Sequence, residues 1–358
     1  MNAEQTPNSE VETRNLKLET RNPAVGGFDA LLVVSFGGPE GMEDVIPFLE
    51  NVLRGRNVPR ERMLGVAKHY ELFGGVSPIN QQNRKLIAAL QEEFASNGPK
   101  LPIYFGNRNW HPLLADTLEQ MKEDGVKRAL AFVTSAYSSY SSCRQYLENL
   151  AEAQKSVGEG APRLEKLRAF YNHPLFIEAN ADHIAGAFNQ IPEPRRAAAA
   201  LVFTAHSIPK AMADNCTYQA QLEESGRLIA ESLSKPQWRV VYQSRSGPPT
   251  QPWLEPDVLD YLKELSAGGA TDVVVAPIGF VSDHMEIIYD LDTEALQLCE
   301  ELGLNMVRAR TAGTHPKFVQ MIRELILERT NHDSNRRSLG DRGASHDICA
   351  VDCCLPKA

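Results

Sequence analysis

Short unbroken apolar runs, each closing on small or polar residues, alternate along this chain with stretches whose apolar positions recur every three to four residues. In the first half the runs are FDALLVVSFGGPEG (28–41), LPIYFGNRNWHP (101–112) and VKRALAFVTSAYSSYSS (126–142). Helical text lies between them: DVIPFLENVLRG, NRKLIAALQEEFA and LLADTLEQMKEDG. The second half repeats the grammar with RRAAAALVFTAHSIP (195–209), WRVVYQSRSGPP (238–249) and TDVVVAPIGFVSDHMEI (271–287), and LGLNMVRARTAGTHPKF (302–318) adds a last strand. Its helical text is YQAQLEESGRLIAESL, EPDVLDYLKELSAGG and FVQMIRELILER. Strands alternating with helices predict parallel sheets wound by right-handed crossovers. Runs that are apolar throughout predict sheets covered on both faces. The expected fold class is α/β, with two similar doubly wound, Rossmann-like domains flanked by helices.

The polar start, with its near-repeat ETRN at 12–15 and 19–22, reads as a disordered tail over 1–26. An N-terminal α/β domain follows over 27–165, a C-terminal one over 166–315 and a closing helix over 316–330. A polar tail over 331–358 ends in cysteines. In open parallel sheets ligands bind beyond the carboxyl ends of the strands. The suspects are therefore the strand ends SFGGP, GNRNWHP, TSAYSSYSS, TAHSIP, QSRSGPP and IGFVSDHME.

Composition narrows the class. A chain of 358 residues, 42% hydrophobic and 23% charged, can bury full cores. A formal net charge of −9 argues against nucleic-acid binding. No apolar run approaches the ~20 residues of a membrane span, and the start lacks a signal-peptide pattern. The expectation is a cytoplasmic protein without stable membrane insertion.

The chemistry gathers at two places. His206 ends a strand in TAHSIP and Glu286 follows the equivalent strand end in GFVSDHME. A neutral imidazole and a carboxylate facing one cleft suit a divalent transition metal or proton transfer. The blander readings are a histidine that caps its loop and a solvated acidic helix face. Glu286, Asp290 and Glu294 sit four apart, so a regular helix stacks them on one face. No Lys or Arg lies between 272 and 307 to balance seven carboxylates. An uncompensated acidic line leading from a cleft is what a path for cations or protons needs. At the C-terminus Cys349, Cys353 and Cys354 supply three thiols, and Cys143 is the candidate fourth for a four-thiolate metal site. The connector Thr330–His346 reaches roughly 55 Å at ~3.3 Å per residue, enough to return to the body. A redox-sensitive tail is the alternative.

SFGGPEG, GGVSPIN (74–80), TSAYSSYSSCRQY, TAHSIP, YQSRSGPPTQPWLEPDV and GFVSDHMEIIYDLD, in this order, resemble the ferrochelatases, which insert ferrous iron into a porphyrin late in haem synthesis. The resemblance runs from about residue 28 to 329 and implies two domains, each with a four-stranded parallel sheet. It implies that His206 and Glu286 face each other across the porphyrin, binding Fe²⁺ and handling pyrrole protons, with Asp290 and Glu294 continuing outward as a proton or metal path. Tyr70, Ser77 and Tyr146 match positions contacting the macrocycle or its carboxylates. Arg54 is the candidate propionate partner, because a guanidinium grips a carboxylate bidentately. The cysteines resemble those of members carrying a [2Fe–2S] cluster, with Cys143, Cys349, Cys353 and Cys354 as ligands. Phe36 stands where some bacterial members carry a tyrosine, and it cannot ligate iron.

The substrate is a fork. The segment 50–64 holds Arg54, Arg56, Arg60 and Arg62 and few large apolar residues where a membrane-facing lip would lie. This favours coproporphyrin III, a soluble tetracarboxylate, over protoporphyrin IX. A transient partner would receive the product. The alternatives are a cobalt or nickel tetrapyrrole chelatase, a porphyrin-binding protein and a sensor built on the cysteines alone.

Overall fold

The computed structural model describes residues 25–56, 58–248, 250–331 and 335–356. The disordered tail expected over 1–26 falls outside the described residues, except that Val25 and Gly26 enter a tight turn in which Val25 pairs with Phe28. The first sheet comprises β1 (Ala30–Ser35), β2 (Ile103–Asn107), β3 (Arg128–Val133) and β4 (Arg163–Lys166) in the order β2-β1-β3-β4. The second comprises β5 (Ala200–His206), β6 (Trp238–Gln243), β7 (Asp272–Ala276) and β8 (Asn305–Arg308) in the matching order β6-β5-β7-β8. All pairings are parallel. The expected pair of doubly wound sheets is what the chain forms.

The unalternated strands bury both faces, as their composition requires. Leu31 and Val33 of β1 point into a core shared by the two halves, while Ala30, Leu32 and Val34 face the helices Leu114–Glu123 and Gln145–Val157. β5 divides likewise, with Leu201 and Phe203 in the shared core and Val202 in an outer one. The shared core is filled by the helices Pro174–Phe188 and Pro316–Thr330. Both begin alike: a histidine (His173, His315) accepts at Nδ1 from the backbone N–H two residues on, a proline takes the first turn, and a phenylalanine (Phe176, Phe318) enters the core. These two rings pack with Phe170, and Phe132 joins from β3.

Two local features depart from the sequence expectation. β4 has the polar text RLEK and lies at a sheet edge, so no apolar run announces it. After β3 and after β7 the chain makes a π-helical turn, Tyr140–Arg144 and Asp290–Ala295, before an α-helix continues. Such turns are frequent at functional sites. The second breaks the regular helix on which Glu286, Asp290 and Glu294 were to stack: the Glu294 amide bonds five residues back to the Tyr289 carbonyl. The three carboxylates are thus on a short helix, Met285–Ile288, and the turn after it.

Candidate active site

The carboxyl ends of β5, β6 and β7 meet at one cleft. His206 is the last residue of β5. The turn after β7 lies directly on that strand: a Cβ on Gly279 would sit 2.5 Å from the Ala205 Cβ, so only glycine permits the approach. This seating delivers the following segment to His206. His206 Nε2 lies 3.2 Å from Glu286 Oε1, and His284 Nε2 lies 3.2 Å from Glu286 Oε2. The two groups therefore touch on one wall of the cleft and do not face each other across a macrocycle, as the resemblance had implied, because no planar ring fits in a 3.2 Å gap. His206 Nδ1 contacts the Ser207 carbonyl oxygen. With Nδ1 donating there, Nε2 is the nitrogen presented to Glu286, and the pair holds one proton between them. Tyr218 donates to the His206 carbonyl at 3.0 Å, fixing the backbone that carries the ring. Side-chain exposures of 31% and 38% leave both groups open to the cleft.

Charge follows from this geometry. Burial alone would lower the His206 pKa, but Glu286 outweighs it and raises it to about 9. Burial would raise Glu286, and His206 and His284 together hold it well below the usual carboxylate range. Asp290 behaves in the opposite way: burial, with help from Glu286 and Glu294, pushes it up to about 7, against hydrogen bonds from Ser244 and Gln243. Gln243, at the end of β6, donates to the Glu286 carbonyl at 2.6 Å and to Asp290 Oδ2 at 3.3 Å. Glu294 is exposed, so the carboxylates run from cleft to solvent.

The acidic segment is less bare than its sequence implied. Arg308, one residue beyond the interval without cations, reaches Asp292 at 2.9 Å and Asp283 at 3.3 Å. Glu286 is paired with histidines instead, and Asp290 with the uncharged Gln243 and Ser244. Gln243, Ser244, His284, Tyr218 and Gly279 were not singled out from sequence, although QSRSGPP and IGFVSDHME were flagged as strand ends.

The opposite wall comes from the N-terminal half. Phe48, Tyr70 and Met63 form an apolar cluster with Phe36 and Trp110 against it, and Met285 and Tyr289 of the segment that carries Glu286 pack onto it. His69 stacks on Tyr289 at 3.7 Å, and Arg62 donates to the Ser246 and Gly247 carbonyls, so the helix Arg60–Glu71 spans the cleft. Tyr70 is buried, and both burial and the charge of Glu286 hold its hydroxyl protonated. Ser77 is buried against Gly38. Arg54 is exposed and donates to Asn51. Tyr146 is buried in the outer cluster of the first sheet, under the Arg108 guanidinium at 4.5 Å. Of the four macrocycle candidates, Tyr70 is the one the structure sets beside Glu286.

The ferrochelatase family model matches residues 28–330. The chain belongs to the ferrochelatase family. Its reaction is therefore insertion of ferrous iron into a porphyrin on the way to haem. A ferrochelatase from Rhodopirellula baltica is 60% identical, covering 92% of this chain and 93% of that protein. Coproporphyrin III ferrochelatases from Streptomyces coelicolor and Mycolicibacterium smegmatis are 49% and 50% identical, covering 92% and 84% of this chain and 94% and 89% of those proteins. Among solved structures, the cobalt complex of sirohydrochlorin chelatase SirB from Bacillus subtilis subspecies spizizenii superposes with a TM-score of 0.52. It covers 87% of this chain and 99% of that one at 12% identity, a likeness of fold alone.

This ferrochelatase also gathers its thiols. The C-terminal tail is bound to the body: Arg168, buried, grips Glu328 at 2.7 and 2.8 Å and donates to the Arg337 carbonyl, while Asn172 donates to the carbonyls of Leu339 and Gly343. Asn215 holds the Leu355 carbonyl at 2.6 Å. Cys143, on the first π-helical turn, meets Cys349, whose thiol, aided by Lys166 and His346, lowers the Cys143 pKa to about 6 against burial. Cys353 and Cys354 have sulfurs 3.6 Å apart. Two thiol pairs within one pocket suit a binuclear iron centre that takes two thiolates per iron. Cys299, by contrast, is buried in the outer core of the second sheet, and burial pushes its thiol up to about 11. Among the described residues no helix is long and apolar enough to cross a membrane.

Proposed function

We propose that this ferrochelatase metallates coproporphyrin III, with His206 and Glu286 as the catalytic pair, in the cytoplasm. The observation that carries the reading is the direct 3.2 Å contact between His206 Nε2 and Glu286 Oε1 on one wall of the cleft. An N/O pair of this kind offers Fe²⁺ two donors once the shared proton has left. Two pyrrole N–H protons must leave as iron enters, and Glu286 is proposed to take them one at a time and pass each to Asp290. Asp290, titrating near neutrality, accepts and releases a proton at working pH, and Glu294 ends the route in solvent. Phe36 and Trp110, half-buried over the core of Phe48 and Tyr70, supply a flat-sided, poorly hydrated surface for the macrocycle. Arg54 is the further proposed porphyrin contact, Ser77 and Tyr146 being buried within the protein body, and a transient partner takes the product. Support for the soluble substrate comes from the relatives named as coproporphyrin III ferrochelatases and from the arginines at 54–62. A second reading, protoporphyrin IX, draws on the exposed apolar side chains of Met42, Leu64, Val66, Leu72 and Val76.

Cys143, Cys349, Cys353 and Cys354 are proposed as the residues that would hold a [2Fe–2S] cluster. When bound, it supplies a one-electron centre and a covalent tie between tail and body. Here the chain's own residues do the docking, through Arg168, Asn172 and Asn215.

The test is anaerobic metallation followed by porphyrin absorbance, with both porphyrins in parallel. Faster reaction with coproporphyrin III, abolished by His206→Ala and Glu286→Ala, is the expected result. Preference for protoporphyrin IX would overturn the substrate, and full activity in His206→Ala would overturn the pair.

A further inference from the structure

The donor atoms of His346, Cys349 and Cys353 all lie within 4.8 Å of one another, and Cys349 adjoins Cys143. We propose that His346, Cys349, Cys353 and Cys143 form a second mode of the tail site, a tetrahedral Cys₃His centre that takes a single zinc ion when no cluster is assembled. The proposal builds on the convergence of thiols described above but not on the cluster itself. It uses a different fourth donor, His346 in place of Cys354.

Zinc binds thiolate sulfur at ~2.3 Å and imidazole nitrogen at ~2.0–2.1 Å in tetrahedral geometry, which sets neighbouring donors roughly 3.5–3.8 Å apart. The donors of His346, Cys349 and Cys353, already within 4.8 Å, close to that spacing by movements of about 1 Å, and Cys143 joins them through its contact with Cys349. His346 is exposed, which gives an entry path for the ion. Cys354 lies on the buried side, nearer Cys353 and Cys216, with its backbone at φ 55°. Three thiolates around a dication leave one negative charge, and Lys166 beside Cys143 and Cys349 offsets it. Asp347, next to His346, is held by Arg336 and lies 3.7 Å from Arg329, so the histidine's segment is fixed by contacts that do not involve the metal. The site is thus largely formed by docking of the tail, before any ion arrives.

The experiment uses the full-length protein, stripped of metal without oxygen and titrated with Co²⁺ as a spectroscopic probe, then with Zn²⁺ in competition. A parallel titration of Glu286→Ala protein subtracts binding in the cleft. One equivalent of Co²⁺ should bind with sulfur charge-transfer bands and a tetrahedral ligand-field spectrum, and Zn²⁺ should displace it. His346→Ala should weaken this by more than the ~10–100-fold that loss of a mere outer partner costs, and change the ligand-field bands. Cys354→Ser should leave both unchanged. Binding that is indifferent to His346→Ala, or lost in Cys354→Ser, would show a four-thiol set and overturn the proposal. Cluster reconstitution with iron and sulfide, read by absorbance and EPR in the same variants, separates the two readings. A cluster that forms alongside His346-independent Co²⁺ binding sinks the zinc site alone. His346-dependent Co²⁺ binding with no cluster in any variant supports the zinc site and sinks the cluster.

Discussion

Gln243 joins the two halves of the proposed proton route, and its removal makes a quantitative test. Its side chain is 1% exposed and donates to the Glu286 carbonyl at 2.6 Å and to Asp290 Oδ2 at 3.3 Å. Gln243→Ala leaves a carbonyl without that donor and a carboxylate with one donor fewer. At ~1–3 kcal/mol for each donor lost to a buried acceptor, and allowing for partial rehydration, the loss of stability is about 2–4 kcal/mol. A second effect has a definite sign. The Gln243 hydrogen bond lowers the Asp290 pKa, so its loss moves that pKa upward from about 7. If Asp290 must be ionised to accept a proton, the wild-type rate climbs with pH through about 7, and in Gln243→Ala the climb shifts to higher pH. Urea denaturation measures the first effect and anaerobic metallation rates from pH 5.5 to 9, on the order of the working range, measure the second. A variant destabilised as stated whose pH profile does not move would refute the assignment of Asp290 to the proton route.

Other consequences are equally direct. Asp290, ordinarily near 3.8 but raised to about 7, keeps a proton in the folded chain that the unfolded chain has released across that window, so stability falls as pH rises through it. Asp290→Asn should flatten that slope, as read by urea midpoints at pH 4.5 and 8, values on the order of the window's edges. Phe318→Ala, emptying the aromatic cluster between the sheets, should cost ~3–5 kcal/mol by the same denaturation assay. Arg168→Ala strands Glu328, largely buried, without its bidentate partner, at ~3–5 kcal/mol. It should also release the tail, seen as faster proteolysis within 335–346.

The fold was legible wherever burial is written as composition. Apolar runs named six of the eight strands, because a strand covered on both faces has no polar position to spare, and the alternation of elements placed β8. β4 escaped because an edge strand is specified by its neighbour's hydrogen bonds, and RLEK carries no burial signal. His206 and Glu286 were found by position, since strand ends of a parallel sheet are where its cleft must lie. The π-helical turn at Asp290–Ala295 was hidden, because replacing four-back by five-back hydrogen bonds leaves no mark on residue spacing.

By itself, then, the sequence determined two wound sheets, the strand ends that carry chemistry and the thiols available to a metal. Those properties follow from local hydrophobicity and residue type. Only the tertiary structure decided which groups meet. It set His206 on Glu286, Gln243 under Asp290, Arg308 on Asp283 and Asp292, and Cys143 against Cys349. Each of those contacts joins separate strand ends, or loops and tails, whose closeness arises from sheet order and packing, and distances across a fold are not encoded in any one stretch of the chain.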